Sequence, residues 1–409
     1  MTRLQVAASD QEVRLEMKRG VLESLREALW RAVTAKGEDL EKIHRLVVVG
    51  NSAMLALVSA EGIERLLDPE CWGRPISLGP LDHSEWIEAL GISPQARVEL
   101  VAPVAGFVGS DLLVGVGHTR RTQSPAPNLY MDFGTNTELA LWDGDHLWVT
   151  SVAGGPAFEG CGLSCGMPAV EGAIYRASAK NRGLNEEEAL EPGALGGGAL
   201  ELLVLGAREP LGVCGSGLVD LVATFLESGR LTPMGRILPR QRGPRDDAVE
   251  RKGEREADRK GESKGESKGE SKGERKGKRK GEREQEEALY VTDGISLTRR
   301  DVDLFGRAKG AVGAGVEILL REAKVRVEDL QSVVVTGAFG ERLQRDNAKA
   351  VGLLPPVPNA RITLKKNTAL LGAEVALISK CFLGDLETLR RRIRPVDLAR
   401  NDDFEDSFI

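Results

Sequence analysis

Twice in this chain a short β-branched run stops at a glycine turn and passes straight into a helix-forming stretch. Leu46-Val47-Val48-Val49 ends in Gly50-Asn51-Ser52 and continues as Ala53–Val58. Ser332-Val333-Val334-Val335-Thr336 ends in Gly337-Ala338-Phe339-Gly340 and continues as Glu341–Ala350. A short unbroken apolar run suits a strand buried on both faces, and strand–turn–helix is the unit of an α/β sheet. Composition agrees with α/β architecture. Gly supplies 48 of 409 residues, enough for many tight turns, whereas aromatics are only 4%, too few for an aromatic nucleic-acid platform. The Gly50-Asn51 turn lies at the carboxyl end of its strand, where open sheets bind ligands, but on its own it reads better as a plain connection.

Between these units lies a third pattern. Leu129–Met131 reads as a strand, Asp132-Phe133-Gly134-Thr135-Asn136-Thr137-Glu138 as a tight loop and Leu139–Trp142 as the returning strand. Gly134 permits close backbone approach to an anion, and the N–H groups of a tight loop form an anion-binding concavity. Thr135, Asn136 and Thr137 add side-chain donors. Asp132 suits a magnesium ion held through its waters. An ordinary Gly/Thr/Asn-rich hairpin turn has the same composition, so the loop alone leaves both readings open.

Val98–Val101 is expected to be a strand and Ala105–His118 to open a small-residue helix, its glycines pointing to close packing or a nearby ligand. Residues 67–95 read as a loop-rich excursion. Gly215-Ser216-Gly217 introduces a helix and is either an anion site at the helix N-terminus or a cap by Ser216. Thr298 with Asp301 three residues on resembles a capping box for a helix from Arg299 to Ala323. Lys309 within it is either solvated or faces a nucleotide. KGES repeats three times from Lys260 to Ser271, inside a block from Gly243 to Glu287 almost without apolar residues. Such a block cannot repay its ordering entropy, so a disordered insertion is expected. The expected ranges are a partial first lobe over 1–125, a second lobe over 126–242 and 289–378, the insertion at 243–288 and a polar surface tail at 379–409.

Net charge is −6, which gives no global attraction to nucleic acid. No run is apolar enough to span a bilayer, and the N-terminal residues lack a signal-peptide core, so a soluble cytoplasmic protein is expected, with no nucleic-acid or membrane partner. Cys71, Cys161, Cys165, Cys214 and Cys381 are too scattered for a disulfide framework or an iron–sulfur ligand set.

Each motif is weak by itself; their order is specific. VVVGNSAM, VAPVAGFVGSD, DFGTNTE, AGGPAFEG, CGM, GVCGSGLVD, LTRRDVDLFGRAKGAV, VVVTGAFGERL and NTALLGA follow one another. Together they resemble the nucleotide-binding region of reductive activators of corrinoid-dependent proteins. Those belong to the acetate and sugar kinase, actin and chaperone ATPase (ASKHA) superfamily. The resemblance implies a two-lobed fold of ribonuclease-H-like α/β units with ATP and Mg2+ in the cleft. It implies ATP-coupled reduction of a cob(II) centre to cob(I) on a corrinoid protein, with a ferredoxin-like protein or domain as electron donor. Asp132, Gly134, Thr135 and Asn136 match the family's phosphate loop, and Gly337, Ala338, Phe339 and Gly340 its adenosine-side turn. Gly215, Ser216 and Gly217 match its second-lobe glycine turn. Glu138 and Glu159 lie where either orients water or magnesium. A homodimer is compatible with the pattern.

Two departures stand out. No cysteine cluster for an iron–sulfur centre is present in this sequence. An Asp-x-Gly-Thr-Thr hairpin, which such ATPases place in the first lobe, is absent before Leu46, so the first lobe is expected to be incomplete. An upstream start, a partner chain or a degenerate non-catalytic interaction protein would each account for that; a small-molecule kinase of the same superfamily is the further alternative.

Overall fold

The computed structural model describes residues 2–79, 81–154, 156–179, 194–196, 200–238, 288–337, 339, 342–401 and 404. The chain forms two compact units, Met1–Glu159 with Arg307–Ile409, and Gly160–Gly306. These units cut across the expected ranges, since the hairpin shares a unit with the residues before it and with the second strand–glycine turn. The KGES block lies outside the described residues.

The first unit opens with helices α1 (Thr2–Ser9) and α2 (Gln11–Thr34), the latter capped by Asp10, whose carboxylate accepts from the N–H groups of Glu12 and Val13. Strand β1 (Arg45–Val48) runs parallel to β2 (Arg97–Leu100). Helices α3 (Ser52–Ser59), α4 (Ile63–Leu67) and α5 (His83–Leu90) lie between them in sequence. The stretch 67–95 is therefore more regular than expected. Asp82 accepts from Ser84 and Glu85 N–H to start α5, and burial of Trp86 and Leu90 holds that helix. Helix α6 (Ser110–Thr119) follows.

Next come β3 (Asn128–Phe133), β4 (Thr137–Trp142) and β5 (Leu147–Val152). They belong to a six-stranded sheet completed by β12 (Ser332–Gly337), β13 (Ile362–Leu364) and β14 (Ile393–Pro395), in the order β13-β12-β3-β4-β5-β14. The β3–β12 pair is parallel, so two segments about two hundred residues apart lie side by side with Thr336 opposite Asp132 and Gly337 opposite Phe133. Both strands are buried along nearly their whole length, as their continuous apolar runs require. One face of the sheet packs Tyr130, Ala140, Val149 and Val334 against Leu112, Leu113 and Val116 of α6.

The second unit carries β6 (Ala173–Ala179), β7 (Ala194–Gly196), β8 (Leu200–Val204) and β9 (Gly212–Val213) in the order β7-β8-β6-β9. It also holds helix α7 (Gly215–Glu227) and the antiparallel pair β10 (Leu289–Thr292) and β11 (Ile295–Leu297). Helix α8 (Arg299–Glu322) starts in this unit and continues into the first, where Gly315 meets Leu139 and Val152 of the sheet. Thr298 and Asp301 form the expected cap: the Asp301 carboxylate accepts from the Thr298 N–H and hydroxyl.

After β12, helix α9 (Arg345–Ala350) begins later than Glu341, and α10 (Thr368–Ile378) precedes α11 (Lys380–Arg390). The last two elements correct the expected surface tail. Leu386, Leu389 and Ile393 are buried with the α6 residues, and β14 pairs in parallel with β5. Leu386 and Leu389 stand three residues apart on α11 and Ile393 follows in β14, apolar positions set among arginines.

Candidate functional site

The ends of β1, β3 and β12 converge on one cavity of about 920 Å³ within the first unit. Asp132, Phe133, Gly134, Thr135, Asn136, Glu138, Glu159 and Gly337 line it, together with Asn51, Ser52 and Asp111. The expected loop Asp132–Glu138 is shorter than its sequence reading, because β3 runs to Phe133 and β4 begins at Thr137. Only Gly134–Asn136 form the turn, with Thr135 and Asn136 exposed at its tip.

Strand alternation then sorts the side chains. Asp132 and Glu138 are directly opposite on neighbouring strands and share a face. Thr137 takes the other face. It is fully buried, its hydroxyl has no partner, and a Cβ on Gly154 would fall 2.2 Å from its Oγ1. It is not among the residues that line the cavity, so its expected donor role to an anion there finds no support in its placement.

Two like charges opposite each other on a sheet are unfavourable. Asp111, in the first turn of α6, adds a third carboxyl to the cavity wall. Burial lifts Asp132 to about 6, with the Asp111 charge adding and the Tyr130 hydrogen bond opposing. Burial lifts Glu138 to about 8, with Asp111 and Asp132 adding. Burial also raises Asp111. Burial and mutual repulsion thus favour the protonated form of the opposed pair, Glu138 more than Asp132. A cation seated there would take over the neutralising role. Among the described residues no group of three or more His, Cys, Asp or Glu side chains is arranged to hold a metal ion.

The rim is braced by short contacts. Thr135 Oγ1 donates to Glu159 at 3.0 Å, joining the turn tip to the 3-10 turn Pro156–Glu159. Phe133 meets Phe158 and Phe339 edge-on, with centroids 5.7 and 4.9 Å apart, and a tilted Phe158–Phe339 contact at 5.4 Å closes the trio. Phe339 is thus buried in the brace rather than presented to the cavity, while Ala338 and Gly340 lie outside the described residues. Gly337 has φ 92° and no space for a side chain, since a Cβ would fall 2.1 Å from Phe133 O and 2.6 Å from Asp132 Oδ1.

Other expected residues lie elsewhere. Lys309 is not among the lining residues, and its Cε sits 3.1 Å from where a Cβ on Gly352 would be. Gly215, Ser216 and Gly217 start α7 in the second unit. Ser216 is buried and donates to Tyr175 O, so it does not cap the helix, and a Cβ on Gly217 would fall 2.2 Å from Ile174 O. Conversely, Asn51, Ser52 and Asp111 reach the cavity although the Gly50-Asn51 turn reads as a plain connection. A Cβ on Gly109 would fall 2.3 Å from Gly50 O, so the two glycine turns pack on each other. The glycines of Ala105–Asp111 were the available signal for this.

The sequence profile described as the C-terminal domain of RACo, the ASKHA domain, matches residues 126–268 and 255–409, and that of the RACo middle region matches residues 1–123. The chain belongs to this family. Curated relatives include the corrinoid activation enzyme RamQ of Eubacterium limosum, 27% identical over 423 residues covering 100% of this chain and 62% of that protein. The [Co(II) methylated amine-specific corrinoid protein] reductase of Methanosarcina barkeri is 26% identical over 87% of this chain and 59% of its own length. Among solved structures, a reductive activator for corrinoid, iron–sulfur protein superposes with a TM-score of 0.72 at 25% identity, covering 99% of this chain and 58% of the other. The chain thus spans about three-fifths of the length of these relatives. The fold is the ASKHA type of mixed α/β structure, a nucleotide-binding architecture. Among the described residues no helix is long and apolar enough to cross a membrane.

Proposed function

We propose that this chain is the nucleotide-binding component of a corrinoid-protein activator. It would bind ATP with Mg2+ and use that binding to help a cob(II) centre on a partner protein accept one electron from an external donor and become cob(I). The observation that carries this reading is the meeting of Asp132–Asn136 with Gly337 and Asp111 in the wall of one cavity. A volume of about 920 Å³ is within the range of small-ligand sites. Gly337 leaves the strand ends without a Cβ between them, as a backbone cradle requires. Asp132 and Glu138, with Asp111 nearby, would hold the hydrated magnesium; Thr135 and Asn136 would meet the phosphates. The metal would supply charge neutralisation of the polyphosphate.

The residues' own contribution is conformational. A ligand shifts a conformational equilibrium only by its differential affinity for the two states. The turn tip tied to Glu159 and the strand end tied to the phenylalanine trio are the parts of the first unit able to register occupancy. The corrinoid partner, the donor, a homodimeric state and a cytoplasmic setting all belong to this proposal.

The test is anaerobic absorption spectroscopy of a corrinoid protein in the cob(II) state, mixed with the chain, a one-electron reductant and ATP. Cob(I) formation that needs both chain and ATP is expected. Cob(I) formation at the same rate without ATP would refute the coupling.

A further inference from the structure

Beneath Asp132 lies a set of hydroxyls with no part in the reading above. Tyr130 and Asp132 stand two residues apart on β3 and share its face. Tyr130 Oη donates to Asp132 Oδ2 at 3.2 Å and lies 2.7 Å from Thr368 Oγ1. Thr368 Oγ1 is 3.3 Å from Thr336 Oγ1, which also accepts from the Thr368 N–H and lies 3.3 Å from Lys366 O. Tyr130, Thr336 and Thr368 are all buried.

Each hydroxyl has one proton. Tyr130 gives its proton to Asp132. Thr368 Oγ1 lies within reach of two hydroxyls, Tyr130 at 2.7 Å and Thr336 at 3.3 Å, and its proton on the nearer one leaves the Tyr130 proton for Asp132. Thr336 gives its proton to Lys366 O and keeps a lone pair for the Thr368 N–H. Every group is then satisfied, and the order runs from the start of α10 to the Asp132 carboxylate.

The surroundings make this arrangement tight. A Cβ on Gly115 of α6 would fall 2.3 Å from Tyr130 Oη, and a Cβ on Gly372 of α10 would fall 2.3 Å from Val114 O of α6. The two helices therefore meet backbone to backbone over the phenol. Both also reach the cavity, α6 through Asp111 and α10 through its cap Asn367 and through Ala369.

We infer that Tyr130 and Thr368 are positioning residues for the nucleotide site: they hold the Asp132 carboxylate in place and tie it to the start of α10, so that occupancy of the cavity is felt by the α6–α10 pair. The inference rests on the nucleotide reading of the cavity.

The experiment compares the full chain with Tyr130→Phe, Thr368→Val and Thr368→Ser. Calorimetry measures ATP binding with Mg2+, thermal melting without ligand measures folding, and amide exchange of residues 368–378 is followed with and without nucleotide. Removing a hydrogen bond to a charged group should weaken binding by about tenfold in Tyr130→Phe and Thr368→Val. Thr368→Ser, which keeps the hydroxyl, should stay within about twofold of wild type. Nucleotide should slow exchange in α10 of the wild type and lose that effect in Tyr130→Phe. A lower melting temperature with unchanged affinity and unchanged exchange response would mean a purely structural role and overturn the inference. Equal weakening by Thr368→Ser and Thr368→Val would overturn it too, by showing that shape and not the hydroxyl matters. A wild-type chain that binds no nucleotide refutes the nucleotide reading and this inference together. Wild-type binding retained in both hydroxyl-deleting variants refutes this inference alone.

Discussion

Replacing Gly337 by alanine puts the geometry of the site under direct strain. The residue sits at φ 92°, where an L side chain costs about 1–2 kcal/mol. Its new Cβ would lie 2.1 Å from Phe133 O, whereas real Cβ contacts stay beyond 3.0 Å, so about 1 Å has to be opened between β12 and β3. Gly337 is paired in register with Phe133, and Phe133 is pinned by Phe158 and Phe339, so the strand ends cannot part freely. Overpacking of this kind costs about 1–3 kcal/mol, for a total of about 2–5 kcal/mol. For a unit of this size that is a fall in melting temperature of roughly 4–10 °C. The same Cβ would press on Asp132 Oδ1 at 2.6 Å, so affinity for ATP with Mg2+ should fall as well. The control is Gly313→Ala, in the interior of α8 with nothing near its Cβ position, which should stabilise by about 0.5–1 kcal/mol. Urea unfolding and calorimetry read both variants. Gly337→Ala with wild-type stability and wild-type affinity would refute the cradle argument.

The carboxyl pair predicts a pH dependence. Asp132 and Glu138 titrate higher in the folded chain than unfolded, so the stability tied to their protons is complete below about pH 4 and is lost as pH rises through about 6 and about 8. Without ligand, the first unit should melt lower near pH 8.5 than near pH 5.5, and Glu138→Gln should flatten the upper part of that fall; a melting temperature that rises over the range contradicts it. Phe339→Ala should cost about 3–5 kcal/mol in urea unfolding by emptying the centre of the phenylalanine trio, and a cost below about 1 kcal/mol would show that the brace is not packed as described.

Much of this fold is legible in the residues. Val333–Val335 announce a buried strand because a continuous β-branched run has few other places to go, whereas the like run Leu46–Val49 gives a strand, β1, that is only half-buried in a two-stranded sheet. The hairpin is legible for the same reason, though its turn is not. Asp132 and Glu138 read as loop residues, yet they are paired strand residues, and that pairing is what opposes their charges. The parallel contact of β3 with β12 joins distant segments and leaves no local trace. Tyr130 reads only as part of a strand; the placement of Thr368 beside it reveals a partner for its hydroxyl. The tail misled because Arg390, Arg391, Arg392 and Arg394 crowd the buried Leu386, Leu389 and Ile393. The motif order identified the family where each short glycine pattern, taken singly, did not.

The most direct measurement is calorimetric titration of the wild-type chain and Asp132→Ala with ATP, each with and without Mg2+. The account predicts magnesium-dependent binding by the wild type, weakened at least about tenfold in Asp132→Ala while the variant still shows a cooperative melting transition without ligand. Nucleotide binding that is indifferent to both magnesium and Asp132 would contradict it.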